Sequence, residues 1–338
     1  MILDFKMLIL RTLILLLVFS YTIAHAQITI QPKEWIDQLN LKGGLPEKLL
    51  STRSVVFYSY TMTAKEIKDV QESFQRTGID AIVYFELDKL IASRDVTRTF
   101  SNYLESRDIS NLVFVEKREN DFRLTLTPFN KKESMIDNQQ NAWSLNNSVL
   151  TEALKELYRT AANQQKKQNL LINDVAEMDF PINPIVGRRN EFYASDLKVD
   201  PLSVPKTGIE EIDKQLEEIF TANYPLKFKL TEPGLSEKDL RKQGSLYVLC
   251  FIYARVGVAK SLLGYDMSKS ESALVSVTYP NGQQQLKNFP SDTMVFKFYF
   301  KHIDSGNVFL GNKWDADLTW QEALLNQIKG MKAELRIN

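Results

Sequence analysis

The chain carries its clearest local pattern at Ser54-Val55-Val56-Phe57-Tyr58-Ser59-Tyr60, which is followed, after two intervening residues, by Thr63-Ala64-Lys65-Glu66. The β-branched and aromatic residues of the first segment are typical of a strand. The second segment has the Thr-x-x-Glu form of a capping box, and Ile67, Val70 and Phe74 follow it at helical spacing. Together the two segments predict a strand that runs into an amphipathic helix.

The same alternation of strands and helices continues from this pair to residue 162. After the first helix, the pattern predicts a strand at 81–87, a helix at 96–104, strands at 112–115 and 122–126, a returning strand near 134–136 and a long helix at 150–161. This is the order β-α-β-α-β-β-β-α. We therefore predict a first α+β domain over residues 51–162.

A second copy of this order is predicted over residues 207–338. Thr207-Gly208-Ile209-Glu210 repeats the capping box, and a tryptophan precedes Glu-Ala-Leu near the end of each copy, at Trp143 and at Trp314. The offset between the copies is 144 residues at the capping boxes and 171 at the tryptophans, which predicts an insertion within 259–292. We predict two tandem α+β domains, each a mixed sheet with helices mainly on one face.

Two further stretches flank these domains. Residues 27–50 are expected to form an N-terminal extension with a short helix around Trp35. Residues 163–206 combine a polar run with four prolines, which predicts a linker between the domains. The first strand of the second domain has no clear pattern of its own, and this linker is where it would lie.

The first 26 residues have the pattern of a secretory signal peptide. Lys6 and Arg11 precede an apolar run that ends at Ala24, and Ala24-His25-Ala26 has the A-x-A form of a cleavage site. We expect cleavage after Ala26, a periplasmic or secreted location, and no stable membrane insertion after cleavage. An uncleaved anchor is the alternative, although the apolar run is shorter than the roughly 20 residues that a spanning helix needs.

The charge balance argues against two classes of partner. The chain has 42 basic and 42 acidic residues, so it has no net charge at neutral pH. Affinity for nucleic acid rests on neutralising phosphates with many basic residues, and binding to anionic lipid rests on basic clusters. We therefore expect no nucleic-acid partner and no electrostatic membrane surface.

Four residues stand out by type, and each is predicted to be structural rather than catalytic. Cys250 is the only cysteine and lies in an apolar run, so no intramolecular disulfide can form and burial is expected. His302 follows three phenylalanines on one face of a strand, which favours a packed role. Trp143 and Trp314 are predicted to fill the gap between each sheet and its last helix. No cofactor-binding or metal-binding residue is predicted, because no P-loop, dinucleotide-binding or H-E-x-x-H motif is present.

Two motifs of the second copy support a resemblance to a known family. Gly244-Ser245-Leu246-Tyr247-Val248-Leu249 has the Gly/Ser-x-x-Tyr-Val-Leu form of one strand, and an alternating apolar strand, Ile303-Asp304, the turn residue Gly306 and Trp314 follow. With the element order, these motifs resemble the amino-terminal domain of TolB and the periplasmic domains of the LpoB and CsgG type. The resemblance implies an envelope assembly or regulatory protein that binds other envelope proteins. Many members are lipoproteins, whereas no cysteine follows Ala26 here.

Three functions follow from these patterns. The leading hypothesis is a non-enzymatic interaction module of the bacterial cell envelope, which should show an exposed strand edge or an apolar patch. The first alternative is a hydrolase of cell-wall or surface polymers that uses two carboxylates, which should converge in a pocket. The second alternative is a small-ligand-binding protein with a closed apolar cavity near the domain junction.

Overall fold

The structure is a computed structural model that describes residues 32–169, 172–173, 175, 177–178, 180–266 and 275–337. The predicted signal peptide lies outside the described residues. The strands are β1 (Arg53–Tyr58), β2 (Asp80–Glu86), β3 (Ile109–Lys117), β4 (Phe122–Pro128), β5 (Trp143–Asn147), β6 (Glu177–Met178), β7 (Arg189–Asn190), β8 (Leu202–Pro205), β9 (Phe228–Thr231), β10 (Tyr247–Arg255), β11 (Val275–Thr278), β12 (Gln285–Asn288), β13 (Met294–His302) and β14 (Val308–Phe309). The helices are α1 (Pro32–Asp37), α2 (Ala64–Thr77), α3 (Leu87–Leu90), α4 (Arg94–Ser106), α5 (Leu150–Gln164), α6 (Glu210–Asn223), α7 (Glu237–Lys242), α8 (Val256–Leu262) and α9 (Trp320–Leu335).

The first sheet has the strand order β5-β4-β3-β1-β2-β6. β2, β1 and β3 run parallel, which requires the crossover helices α2 and α4, and β4 and β5 continue the sheet in antiparallel fashion. β6 adds a short parallel edge beside β2. The helix α5 follows β5, so the predicted order β-α-β-α-β-β-β-α is confirmed.

The second sheet repeats this arrangement, with the strand order β7-β14-β13-β10-β8-β9. β9, β8 and β10 run parallel, β13 is antiparallel to β10, and β14 is antiparallel to β13. The helices α6, α7 and α9 take the places of α2, α4 and α5. α8 and the two-stranded sheet β11-β12 lie between β10 and β13; β11-β12 falls within the predicted insertion at 259–292, and α8 begins three residues before it. The α+β class with two mixed sheets is therefore confirmed.

The two sheets pack against each other through a shared apolar core. α2 and α5 cover one face of the first sheet, and α6 and α9 cover one face of the second. The remaining faces of both sheets belong to one apolar cluster together with α1, α4 and α8. Representative members are Trp35, Phe57, Val96 and Phe114 from the first half and Ile252, Val258 and Val295 from the second.

Polar contacts also join the halves at this shared core. Arg255 lies over the ring of Tyr60 at 4.2 Å, and its Nε donates to Asp88 Oδ2 at 2.6 Å. The backbone N–H of Tyr253 donates to Ala92 O at 2.8 Å. The two sheets are thus held in one packed assembly rather than joined by a chain segment alone.

The structure differs from the sequence prediction at several element boundaries. At Thr63 the capping box forms, but α6 begins after Ile209, and Thr207 does not cap it. Gly208 turns the chain with a φ of 85°, and the Asp213 carboxylate accepts from the N–H and hydroxyl of Thr207 at 2.6 and 2.8 Å. The returning strand is β5 at 143–147 rather than a segment near 134–136.

The stretch 163–206 contributes to both sheets. It supplies β6 to the first sheet, β7 to the edge of the second, and β8 as an inner strand of the second. Among the described helices, none is both long and apolar enough to cross a membrane.

Candidate functional site

The first sheet is closed where β1 meets β3. Their register runs over six residue pairs and ends at Tyr58↔Val115. Pairing then continues beyond the strand, because Ser59 N–H donates to Val115 O at 3.0 Å and Lys117 N–H donates to Ser59 Oγ at 2.9 Å. No gap separates these two strands.

The second sheet is split at the corresponding place, between β8 and β10. Their register has two pairs, Leu202↔Tyr247 and Ser203↔Val248. β8 stays with β9 for four pairs, and Lys206 N–H then donates to Thr231 O at 3.0 Å. β10 runs on to Arg255 without β8 beside it, so a space opens between the two strands.

Pro205 lies two residues after the last β8–β10 pair and gives a physical explanation for the split. Ser59 and Pro205 each lie four residues before the N-cap of the following helix, Thr63 and Ile209 respectively. Proline has no backbone N–H and no side-chain hydroxyl, so it can make neither of the two hydrogen bonds that Ser59 makes with β3. The second copy therefore lacks the residue that closes the first.

The split opens into a cavity of about 630 Å³ at the junction of the two halves. Its size is in the range of small-molecule and peptide sites. One part of the wall is apolar and belongs to the second sheet and its helices: Leu216, Leu240, Leu249, Phe251 and Phe298. The other part is polar and includes Ser93, Arg94, Asp95 and Arg98, from the start of α4 in the first half.

A network of ion pairs joins the two halves beside this cavity. The buried Lys301 Nζ lies 2.9 Å from Asp95 Oδ2 and 2.7 Å from Glu237 Oε1. Arg98 contacts the same two carboxylates, at 2.7 Å from Asp95 Oδ1 and 3.4 Å from Glu237 Oε1. Each carboxylate therefore has two cationic partners, and the charges neutralise one another.

The environment sets the protonation of this network. Burial by itself would raise the pKa of Glu237, but the hydrogen bond and charge of Lys301, with the charge of Arg98, outweigh burial and hold that pKa below its ordinary value. Burial opposes the charged form of Lys301, yet Asp95 and Glu237 raise its pKa. The carboxylate of Glu237 is therefore ionised at neutral pH.

Two further groups on the cavity wall are neutral. Cys250 lies on β10 and is half-buried, and burial raises the pKa of its thiol far above the ordinary value. Thr231 ends β9, and its buried hydroxyl has no hydrogen-bond partner among the described residues. A buried unpaired hydroxyl is unfavourable in a closed core, so it is a group that a bound molecule can satisfy.

The other residues singled out in the sequence lie away from this cavity. His302 accepts a hydrogen bond at Nδ1 from Ser305 N–H at 3.3 Å, and its ring contacts the Tyr247 ring edge-on. Trp143 is half-buried at the start of β5 and packs on the core beneath α2 and α5. Trp314 is buried in the core shared by both sheets, with Lys260 Nζ 4.9 Å from its ring centroid, rather than against α9.

A second buried polar cluster holds β13 to α9. Lys297 is fully buried, and its Nζ contacts Asp315 Oδ1 at 2.6 Å, Gln327 Oε1 at 2.6 Å and Leu310 O at 2.8 Å. Burial lowers the pKa of Lys297 and raises that of Asp315, and the attraction between the two groups opposes both shifts. Because Lys297 has three hydrogen-bonding partners, we interpret this cluster as structural.

Within the described ranges, no group of three His, Cys, Asp or Glu residues is placed to hold a metal ion.

Sequence reasoning missed most of the cavity residues. Pro205 was one of four prolines in a predicted linker, and Thr231, Asp95 and Glu237 had no motif. Lys297 and Lys301 did carry a signal, since each interrupts a strand that is otherwise strongly apolar. A lysine in a buried strand requires a carboxylate partner, and that requirement points to Asp315 in one case and to the network around Asp95 in the other.

Comparisons of the chain with protein-family models, with curated proteins and with solved structures find no significant match.

Proposed function

We propose that this protein is a non-enzymatic binding module, and that the cavity between β8 and β10 is its binding site. The single observation that carries the proposal is the split itself. The same strand pair is closed in the first sheet and open in the second, and the opening has an apolar wall and room for a ligand. An unpaired buried hydroxyl at Thr231 adds a polar contact point.

A cell-envelope setting is part of the same proposal. It is supported by the signal-peptide pattern of residues 1–26 and by the resemblance of the second copy to envelope domains of the TolB, LpoB and CsgG type. On this proposal the bound molecule is another component of the envelope, and the module acts by holding it.

The alternative of a two-carboxylate hydrolase has weaker support at this site. A glycosidase needs one carboxyl group that stays protonated to act as the general acid, which requires a raised pKa. Asp95 and Glu237 are the two carboxylates of the cavity lining that share cationic partners, since both are bound to Lys301 and Arg98. The lowered pKa of Glu237 suits an ion pair and not an acid.

The proposal is tested with a neutral, polarity-sensitive dye such as Nile red, whose fluorescence rises in an apolar site. We expect saturable binding to the wild type and at least a tenfold loss of affinity in Cys250→Trp, because the indole would occupy the cavity. Val149→Trp is the matched control. Val149 is exposed at the start of α5, so this substitution adds the same indole side chain outside the cavity.

A second variant that fills the cavity is needed in case Cys250→Trp does not fold. Leu240→Trp enters the same cavity from α7. If either variant keeps its circular dichroism spectrum and still binds the dye as tightly as the wild type, the binding site lies elsewhere and the proposal is wrong.

A further inference from the structure

We infer that the molecule taken by this cavity is an extended, uncharged segment of another polypeptide, which adds to β10 as a strand in the space that β8 leaves. This inference rests on the binding function proposed above and names the class of partner. It is carried by the backbone of β10, by the closed counterpart in the first sheet, and by the charges around the cavity.

The backbone of β10 presents an open strand edge to the cavity. Residues two apart on a strand direct their backbone N–H and C=O groups to the same side. Tyr253 N–H points away from β13 and donates to Ala92 O, so the N–H and C=O of Phe251 face the same way, into the gap. β8 pairs only up to Val248 on this side. An edge of this kind is the surface to which an added strand binds.

The first sheet shows what kind of group fills the same place. There the edge of β3 beyond its register is occupied by the chain itself, through the N–H and hydroxyl of Ser59. Pro205 leaves the equivalent groups of β10 without those partners. Since the closed copy uses an extended backbone with a polar group at this position, the open copy is shaped for a backbone of the same kind from another molecule.

The chemistry of the segment follows from the walls. Leu216, Leu240 and Phe298 line one side, which favours apolar side chains. Five further charged residues line the cavity, and each of them is exposed or half-exposed: Glu34, Arg94, Glu133, Lys206 and Glu232. The more deeply placed cations Arg98 and Lys301 are already paired with Asp95 and Glu237, so a charged side chain or terminus beside them would have to displace a buried ion pair. The hydroxyl of Thr231 can bond one backbone or hydroxyl group of the segment.

The length of the segment follows from the open stretch of β10. That stretch runs from Leu249 to Ile252, between the last residue paired with β8 and the residue paired with Ala92. Four residues of extended chain span about 13 Å. A core of four or five residues is therefore what the site can pair.

The test uses acetylated and amidated pentapeptides in which valine or leucine alternates with threonine, titrated into the full chain by calorimetry. Each peptide is compared with two analogues that have the same side chains and carry N-methyl groups on alternate amides. The two analogues differ in which set of amides is methylated, so each removes the hydrogen-bond donors from one edge of the peptide. We expect one of the two methylated versions to bind at least tenfold more weakly than the parent, because it has lost its strand pairing. Lysine-containing and glutamate-containing pentapeptides should also bind at least tenfold more weakly.

The outcomes separate this inference from the proposed function. If the parent and both methylated peptides bind equally, strand addition is wrong. It is also wrong if no pentapeptide binds while the neutral dye still binds and loses affinity in Cys250→Trp. In either case the cavity remains a site for small apolar molecules. Tight binding of a monoacylglycerol in the absence of peptide binding would also show that strand addition is wrong. If neither the dye nor any peptide binds, both proposals fall.

Discussion

The two sheets of this protein share the same order over five strands, but the corresponding inner strand pair is paired differently in each. In the first sheet β1 and β3 pair over six residues and Ser59 extends the pairing. In the second, β8 and β10 pair over two residues, and the pairing ends at Ser203↔Val248, two residues before Pro205. The closed sheet has a continuous core, and the split sheet has a cavity of about 630 Å³. The candidate site therefore arises from a local loss of strand pairing and not from a catalytic motif.

The largest loss of stability is expected for a substitution of Lys297, the fully buried lysine of β13. On the other side of β10, the neighbouring strand β13 is tied to α9 through the contacts of Lys297 with Asp315 and Gln327. Lys297→Met would leave the Asp315 carboxylate buried and unpaired, and we expect a loss of about 3–5 kcal/mol in the free energy of unfolding. Denaturant unfolding measures it. Lys155→Met, at an exposed pair with Glu152, is the control and should change stability by less than about 0.5 kcal/mol.

Exchanging serine and proline at the two matching positions, 59 and 205, tests whether proline is what separates β8 from β10. Ser59→Pro should cost about 2–3 kcal/mol, because two hydrogen bonds to β3 are lost and the carbonyl of Val115 and the amide of Lys117 are left unpaired. Pro205→Ser should cost no more than about 1 kcal/mol, mainly by giving the unfolded chain more freedom. Equal costs in the two sheets, measured by thermal and denaturant unfolding, would show that Pro205 is not what separates β8 from β10.

Substituting a larger side chain in each sheet tests whether the second sheet has free space beside β10 that the first sheet lacks beside β3. Val115 is fully buried at the end of the β1–β3 register, and Val115→Phe should cost about 1–3 kcal/mol by overpacking, as measured by denaturant unfolding. Cys250→Phe directs a similar ring toward the cavity, and we expect a cost below about 1 kcal/mol. A penalty at Cys250 as large as that at Val115 would mean that the second sheet is as tightly packed as the first.

The pH dependence of stability tests the ion pairs beside the cavity. The pKa of Glu237 in the folded protein is depressed below its ordinary value of 4.5, so the stability it contributes is complete above that value and is lost as pH falls through the folded-state pKa. Glu237→Gln should be about 1–2 kcal/mol less stable than the wild type at pH 7, by denaturant unfolding. That difference should shrink below about pH 4.5.

Glu152→Gln supplies the comparison for this effect, because Glu152 pairs with Lys155 on an exposed face of α5. It should leave the free energy of unfolding unchanged within experimental error at any pH, because solvent screens the exposed pair. A Glu237→Gln deficit that stays constant from pH 7 to pH 4 would show that the charge of Glu237 does not support the junction.

Much of the fold was predictable from the sequence because its elements carry local periodicity. The continuous apolar strand at 54–58 buries both of its faces, and the helix behind Thr63 and the stripe from Leu150 to Ala161 each bury one face in a core. Local pattern failed where a nearby group competed, as at Thr207, whose N–H and hydroxyl bind Asp213 instead of capping a helix.

The candidate site was not predictable in the same way. The cavity exists because two strands distant in the chain stop pairing at Val248↔Ser203, and pairing between distant strands leaves no periodic signal in either of them. β8 has four residues and ends in Pro205, so its pattern was hidden among the other prolines of the stretch. The carboxylates beside the cavity come from α4 and α7, in different halves, and meet only because the sheets share a core.

The most direct measurement of the difference between the sheets is hydrogen exchange of two backbone amides in the free protein by NMR. Lys117 N–H is bonded to Ser59 Oγ, whereas we infer that Phe251 N–H faces the cavity. After correction for intrinsic rates, we predict that the Phe251 amide exchanges at least about tenfold faster than the Lys117 amide, and that a bound peptide removes the difference. Equal protection of the two amides in the free protein would contradict the proposed binding site, because β10 would then have no open edge.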